Sequence, residues 1–204
     1  MALFNLRIKT RILECDSEVQ TFAKRFAKRG NPVSLEYLRQ SQVRAFFDSS
    51  GKMFAGFALN QTKPLRYVEW IPESSRGQVP LINESSSLSE LTCIWIYGRE
   101  GRMSSELVYF YTLIDALRSG TAFTLGGTLS KIVYGIQSQA LPRLLYEGTT
   151  EYFGAPRHCW IYGADRRQLF LSIAVRIPRS VFNSLTGRAN YLGIARQRVR
   201  SSKS

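Results

Sequence analysis

The run from Leu91 to Gly148 constrains the fold of this chain most, because apolar stretches with the lengths and periods of strands and helices alternate along it. The pattern predicts a buried strand at Leu91–Tyr97, a basic loop with glycine at Gly98–Arg102 and an amphipathic helix from Ser104 to about Arg118. A second strand at Ala122–Leu125 and a second helix that ends at Leu144–Gly148 follow. Alternation of this kind favours a mixed domain in which helices cover a sheet.

The basic loop has the composition of a phosphate-binding site. At a helix N-terminus, backbone N–H groups point towards a bound anion and the helix dipole favours negative charge. Arginine side chains add charge-assisted hydrogen bonds to phosphate oxygens. The sequence therefore predicts a phosphate site formed by Arg99, Gly101, Arg102, Met103 and Ser104. A tyrosine late in the second helix could donate a proton beside a ligand held there.

Shorter patterns extend the domain on both sides of this run. Upstream they predict a strand, two helices and a hairpin, at Leu6–Leu13, about Glu18 to Lys28, Ser34–Leu38, and Val43–Asp48 with Met53–Leu59. The stretch Pro72–Ser89 predicts a long loop, and the segments Cys159–Gly163 and Gln168–Ile177 predict a final hairpin. We therefore expect one domain over residues 1–180 and a basic, flexible tail over residues 181–204.

The composition excludes several classes of protein. With 204 residues, 44% of them hydrophobic, the chain can bury a core that needs neither disulfides nor metal. Its three cysteines and single histidine offer no Cys-Xaa-Xaa-Cys pair and no His-rich metal site, so we expect no metal cofactor. Because no apolar run approaches the ~20 residues of a membrane span and the N-terminus lacks a signal-peptide pattern, we expect a cytoplasmic protein without a membrane span.

The formal net charge of +13 predicts a polyanionic partner, which could be a nucleic acid, an anionic membrane, a phosphate-rich cofactor or an acidic protein. A nucleic-acid-binding protein would combine the basic face at Lys24–Arg29 with base stacking on exposed rings such as Tyr37 and Tyr67. Against this, the basic residues are scattered and no nucleic-acid-binding motif is present. A non-catalytic nucleic-acid-binding or scaffold protein therefore stands as the alternative to an enzyme.

The order of the predicted elements resembles that of the GNAT superfamily of acyl-coenzyme A N-acyltransferases, over about Leu6 to Pro178. The segment Leu145-Tyr146-Glu147-Gly148 is similar to the Leu-Tyr-Glu-Lys stretch at the end of that family's last helix. The family's pyrophosphate loop has the form Gln/Arg-Xaa-Xaa-Gly-Xaa-Gly/Ala. Here Gly101 takes the central glycine position, while Gly98 and Met103 stand at the two outer positions.

The resemblance implies an α+β fold with a mixed, mostly antiparallel central sheet flanked by helices. It also implies transfer of an acyl group from a thioester to an amine. The donor would be acetyl-coenzyme A, a longer acyl-coenzyme A or an acyl carrier protein. The acceptor would be an amine-bearing small molecule or an acidic peptide, and the positive charge of the chain favours an acidic peptide as acceptor or an acyl carrier protein as donor.

The same resemblance assigns two catalytic roles. Tyr146 corresponds to the family's tyrosine that protonates the departing thiolate, and a phenol with a pKa near 10 is protonated at neutral pH. Glu90, just before the predicted central strand, corresponds to the glutamate that takes the proton of the amine, with Glu69 and His158 as alternatives. Tyr146 can also be an ordinary half-buried aromatic, as can Tyr134 and Tyr152.

Overall fold

The computed structural model describes residues 8–28, 32–79, 87–97 and 102–175, with the backbone alone for residues 102–104. Two of the predicted phosphate-site residues, Arg99 and Gly101, lie outside these ranges, and so does the predicted tail over residues 181–204. No helix in the described ranges is long and apolar enough to cross a membrane. Among the same residues, no cluster of His, Cys, Asp and Glu could hold a metal ion.

Strands and helices follow one another in a mixed order. The strands are β1 (Lys9–Ile12), β2 (Ser41–Phe47), β3 (Met53–Asn60), β4 (Leu88–Ile96), β5 (Phe123–Thr128), β6 (Arg143–Tyr152) and β7 (Ala155–Asp165). The helices are α1 (Asp16–Ala27), α2 (Leu35–Arg39), α3 (Arg66–Glu69), α4 (Glu73–Arg76), α5 (Arg102–Arg118), α6 (Lys131–Gln137) and α7, which spans 166–175.

The seven strands form one sheet in the order β1-β2-β3-β4-β5-β7-β6. Every neighbouring pair is antiparallel except β4 and β5, which run parallel because the chain crosses between them through α5. The predicted α+β fold, with a mixed, mostly antiparallel sheet flanked by helices, is therefore confirmed.

Helices cover both faces of the sheet. On one face, α1 and α2 pack Phe22 and Leu38 against strand residues such as Trp95. On the other face, α5 and α7 pack Val108 and Leu169 against the centre of the sheet. Because β3 lies between these two layers, all eight of its residues are buried, which explains the continuous apolar run Met53–Leu59 with its small residues.

The prediction of a helix that ends at Leu144–Gly148 is wrong. The helix after β5 is the short α6, and Leu144–Gly148 lies in β6, where Leu144 pairs with Tyr162 and Tyr146 pairs with Ile161 of β7. Leucine, tyrosine and glutamate tolerate a helix, but such preferences are worth under about 1 kcal/mol per residue. The long antiparallel ladder with β7 outweighs them.

The predicted final hairpin of Cys159–Gly163 with Gln168–Ile177 is also wrong, because β7 pairs with β6 and the chain then enters α7. A reciprocal pair of hydrogen bonds starts this helix. The backbone N–H of Gln168 donates to Asp165 Oδ1 at 2.8 Å, and the N–H of Asp165 donates to Gln168 Oε1 at 3.1 Å. This arrangement is a capping box, so Asp165 and Gln168 mark the start of a helix.

Candidate functional site

The sheet splits between its two parallel strands. The ladder between β4 and β5 runs from the pair Leu88 and Phe123 to the pair Leu91 and Gly126. Beyond it, β4 continues along β3 as far as Ile96, and β5 continues along β7 as far as Thr128. Strands that diverge in this way turn main-chain N–H and C=O groups towards a cleft, where an extended ligand can bind them.

A β-bulge lies in β4 where the split opens. Thr92 pairs with Ala58 and Trp95 pairs with Gly56, so β4 advances by one residue more than β3 over this stretch. Cys93, the residue after Thr92, has a φ of 53°, which non-glycine residues adopt uncommonly. A bulge bends its strand and re-aims side chains, and bulges are frequent beside active sites.

An apolar pocket lies on the α5 face of the split. Residues of β4, β5, α5, α6 and the segment after α6 line it, among them Leu91, Ile94, Leu113, Gly126, Ile136 and Leu141. Gly126 has to be glycine for this packing, since a Cβ atom there would lie 2.7 Å from the ring of Tyr162 and 2.8 Å from Leu141 Cδ1. The pocket has the apolar lining that suits a hydrocarbon chain.

Glu90 lies on the opposite face of the split and is fully buried. Its carboxylate accepts hydrogen bonds from the Tyr37 hydroxyl, from the backbone N–H of Arg66 at 2.8 Å and from the backbone N–H of Tyr67 at 3.0 Å. Burial raises the pKa of Glu90, and these hydrogen bonds oppose the rise. The carboxylate therefore joins β4 to α2 and to the first turn of α3.

The side chain of Arg66 extends from α3 to the bulge. Its Nη2 donates to the Tyr152 hydroxyl at 3.2 Å, and its Nη1 lies 3.8 Å from Cys93 Sγ. The guanidinium carbon lies 5.8 Å from the centre of the Trp70 ring, which is within the range of a cation–π contact. Burial raises the pKa of the Cys93 thiol to about 11, so the group beside the guanidinium is neutral at pH 7.

Tyr67 bridges the two diverging strands on the α3 side. Its backbone N–H donates to Glu90 of β4, and its ring packs against Gly127 of β5. A Cβ atom at Gly127 would lie 2.5 Å from the ring, so glycine is needed for this approach. The split is thus bordered by an apolar pocket on one face and by a polar cluster on the other, formed by Tyr37, Arg66, Tyr67, Glu90, Cys93 and Tyr152.

The predicted phosphate-site residues Arg102, Met103 and Ser104 form the first turn of α5, which follows β4 in the chain. Helix α5 has 17 residues, and the first backbone N–H groups of such a helix have no acceptor within it. The backbone position predicted for an anion site is therefore present at the end of the strand that borders the split.

The two predicted catalytic residues have different surroundings. Glu90 belongs to the polar cluster, whereas Tyr146 lies on strand β6 and not on a helix, so the helical position on which its role rested is wrong. The Tyr146 hydroxyl donates to the backbone oxygen of Thr149 at 3.4 Å, and burial raises its pKa. The helix after β5 carries Tyr134 instead, whose ring stacks on Trp160.

The alternative proton acceptors lie elsewhere. Glu69 is exposed on α3, and His158, on β7, pairs with Glu147 at 3.2 Å with about half of each side chain exposed. The expectation that Tyr37 and Tyr67 present exposed rings is wrong, because Tyr67 is only 6% exposed and the half-buried Tyr37 donates to Glu90. Tyr37 and Tyr67 are therefore not exposed base-stacking rings.

Sequence reasoning missed Arg66 and Cys93 as members of the cluster. Arg66 follows a turn-rich segment and belongs to no motif, and Cys93 looks like any thiol in an apolar strand. A signal existed only for Glu90, a carboxylate at the edge of the predicted central strand. The other contacts depend on how α2 and α3 pack against β4.

The fold is similar to that of solved GNAT N-acyltransferase structures. FeeM, an N-acyl amino acid synthase from uncultured soil microbes, matches with a TM-score of 0.60 and 12% identity, over 82% of this chain and 95% of its own. An N-acetyltransferase from Staphylococcus aureus matches with a TM-score of 0.52 and 9% identity, over 78% and 99%.

YncA from Salmonella typhimurium, provisionally assigned as an acetyltransferase and solved with its cofactor acetyl-CoA, also has a TM-score of 0.52 at 9% identity, over 78% and 94% of the two chains. At these identities the likeness shows the fold and leaves the chemistry to be argued from the residues. No protein-family model and no curated protein matches the sequence.

Proposed function

We propose that this protein is an N-acyltransferase that moves an acyl group from a thioester donor to an amine. The observation that carries the proposal is the split between β4 and β5, with the first turn of a 17-residue helix after β4. The donor is acetyl-coenzyme A or a longer acyl-coenzyme A, and an acyl carrier protein offers the same thioester chemistry. The fold shared with FeeM and YncA supports this reading.

The donor fits three features of the molecule. The first turn of α5, at Arg102–Ser104, together with Arg99 and Gly101 before it, is the proposed phosphate site. The edge of β4 where the ladder with β5 ends, at Leu91, suits the amide groups of an extended donor arm. The apolar pocket on the α5 face has a lining that suits the acyl group of the donor.

In the proposed reaction, the neutral amine attacks the thioester carbonyl carbon, and the carbon–sulfur bond then breaks. The amine loses a proton to the Tyr37 oxygen while the Tyr37 proton passes to Glu90, because the Tyr37 hydroxyl already donates to that carboxylate. A raised pKa makes the Glu90 carboxylate a stronger proton acceptor. Tyr146 remains the proposed donor of a proton to the departing thiolate, and Tyr134 on α6 is the second candidate.

The acceptor is an amine on a small molecule or an acidic peptide. The net charge of +13 supports an acidic acceptor or an acidic carrier protein, since a positive surface speeds encounter with negatively charged partners. A cytoplasmic location, where acyl-coenzyme A is formed, goes with this proposal.

Native mass spectrometry with and without acetyl- and long-chain acyl-coenzyme A tests the proposal first. We expect a bound donor and, with an amine present, release of free thiol. Replacing Arg99 and Arg102 by alanine should weaken donor binding, whereas Arg143→Ala, on β6, should not. Tyr146→Phe and Tyr134→Phe should be compared, and the true proton donor should lower turnover far more than donor binding.

Other results would contradict the proposal. If neither coenzyme A thioesters nor an acylated carrier protein bind, and the affinity for an oligonucleotide falls steeply with salt concentration, the results favour the nucleic-acid-binding alternative. If a donor binds but no amine is acylated, the chain is a scaffold with the acyltransferase fold.

A further inference from the structure

Within the ranges that the structure describes, no acidic side chain pairs with the guanidinium of Arg66. Among the described residues, three arginines pair with a carboxylate: Arg11 with Glu18, Arg39 with Asp16, and Arg44 with Asp115. Arg66 belongs to none of these pairs, although it is half-buried on the inner side of α3. An arginine that is partly desolvated usually pairs with an anion, because burying an isolated charge is costly.

None of the described groups that contact the Arg66 guanidinium is a carboxylate. Tyr152 offers a hydroxyl oxygen, Trp70 an aromatic ring, and Cys93 a thiol with its pKa at about 11. Glu90 accepts from the backbone N–H of Arg66, not from its guanidinium. Of the five guanidinium N–H groups, one on Nη1 contacts Cys93 and one on Nη2 donates to Tyr152, which leaves three without an acceptor among the described residues. The guanidinium is thus available for an anion.

This position is next to the proposed chemistry. The contact with Cys93 Sγ places the guanidinium at the bulge, where β4 leaves β5. The backbone N–H of the same residue holds Glu90, the proposed proton acceptor, which also binds the Tyr37 hydroxyl. A molecule anchored on the Arg66 side chain therefore lies beside both the split and the Tyr37–Glu90 pair.

We propose that Arg66 binds a carboxylate of the acceptor, so that the substrates are amino acids with a free α-carboxylate; this rests on the proposed N-acyltransferase function. The planar guanidinium fork matches a carboxylate with two parallel hydrogen bonds. A single guanidinium balances a single negative charge, and the Glu90 carboxylate nearby disfavours a phosphate dianion. In an α-amino acid, the amine is one carbon away from the carboxylate, which directs it towards the bulge.

Matched acceptors test this without any variant. Tyrosine and leucine are compared with tyrosinamide and leucinamide, which keep the side chain and the amine but lack the negative charge. Losing a charge-assisted hydrogen bond costs about 1.5 to 3 kcal/mol, so kcat/KM should be roughly ten- to hundredfold higher for the acids than for the amides. Equal kcat/KM values for acids and amides would overturn the proposal.

Variants then assign the preference to Arg66. Arg66→Met should remove it by raising KM for the acids more than it lowers kcat, and Arg66→Lys, which keeps the charge but not the fork, should keep part of it. Arg143→Met, which replaces an exposed arginine on β6, should retain the full preference. A preference unchanged in Arg66→Met would also overturn the proposal.

Calorimetric titration of wild-type protein with each acid and amide, in the absence of donor, separates this inference from the function on which it rests. Acids that bind more tightly than amides support the carboxylate site even if no thioester is consumed. Acylation of acids and amides alike would leave the acyltransferase function standing and remove the role of Arg66.

Discussion

Asp115→Ala should be strongly destabilising, because it breaks the buried ion pair that ties α5 to the sheet. Asp115 is 3% exposed and accepts from Arg44 Nε at 2.6 Å, from Arg44 Nη2 at 3.1 Å and from Gln42 Nε2 at 3.1 Å. Arg44 also packs over the Tyr111 ring. Removing the carboxylate leaves a buried guanidinium with no counter-ion and deprives the Gln42 amide of its acceptor.

Breaking one side of a buried pair costs about 3 to 5 kcal/mol, and for a chain of this size each kcal/mol lowers Tm by roughly 2 to 4 °C. We therefore expect Asp115→Ala to lower Tm by roughly 6 to 20 °C. The double variant Arg44→Met with Asp115→Leu should recover most of the loss, since apolar replacements of a buried pair are often neutral. Thermal unfolding followed by circular dichroism measures both.

Asp16→Ala is the matched control. Asp16 accepts two hydrogen bonds from Arg39, at 2.7 and 3.1 Å, but both side chains are at least half exposed. Water already solvates these charges, so the substitution should change Tm little. If Asp115→Ala and Asp16→Ala shift Tm equally, or if the double variant is no more stable than Asp115→Ala, burial does not decide the strength of these pairs and the reasoning fails.

Three further predictions concern the site and the chain end. Glu90 has a raised pKa, so its contribution to stability is present below its ordinary pKa of 4.5 and is lost as pH rises through the raised value. In urea unfolding, the stability of the wild type relative to Glu90→Gln should therefore decrease as pH rises from below 4.5 towards neutrality. Tyr37→Phe removes a hydrogen bond that lowers the pKa of Glu90, so its decrease should continue to higher pH. A difference in stability that does not change with pH would contradict the raised pKa. Gly126→Ala should reduce turnover of long-chain acyl-coenzyme A more than turnover of acetyl-coenzyme A, and overpacking should lower the free energy of unfolding by about 1 to 3 kcal/mol. Gly135→Ala is the control and should have neither effect, because no atom lies within 4 Å of the added Cβ. Truncation after Gly187 should leave Tm unchanged if residues 181–204 are a tail, and a large decrease would show that this segment is structural.

Local patterns in the sequence were enough for most elements up to β5, but not for α3 or for α4, which lies in the predicted loop Pro72–Ser89. The helix α1, the hairpin of β2 and β3, and the strand–helix–strand unit from β4 to β5 follow the apolar periods that predicted them. The apolar residues of these elements either recur with a regular period or form a run that is buried on both faces. Hydrophobic burial and local conformational preference therefore favour the same secondary structure. That agreement also made the class of fold recognisable.

The segments after β5 needed the tertiary structure. Leu144–Gly148 has the composition of a helix but becomes a strand, because β7 offers it an antiparallel partner. Gln168 opens a helix because Asp165 and Gln168 cap each other's backbone N–H groups, a pairing whose outcome depends on where β7 ends. In both places, long-range pairing decided between two locally acceptable conformations.

The same division applies to the site. By itself, the sequence singled out Glu90 as a carboxylate near the central strand and the segment at Arg102–Ser104 as the start of a helix. Only the tertiary structure brought the Tyr37 hydroxyl and the backbone of α3 to Glu90, buried Tyr67 against Gly127, and left the Arg66 guanidinium beside the split without an acidic partner among the described residues. These contacts join residues far apart in the chain, and no local pattern encodes how three separate elements pack together.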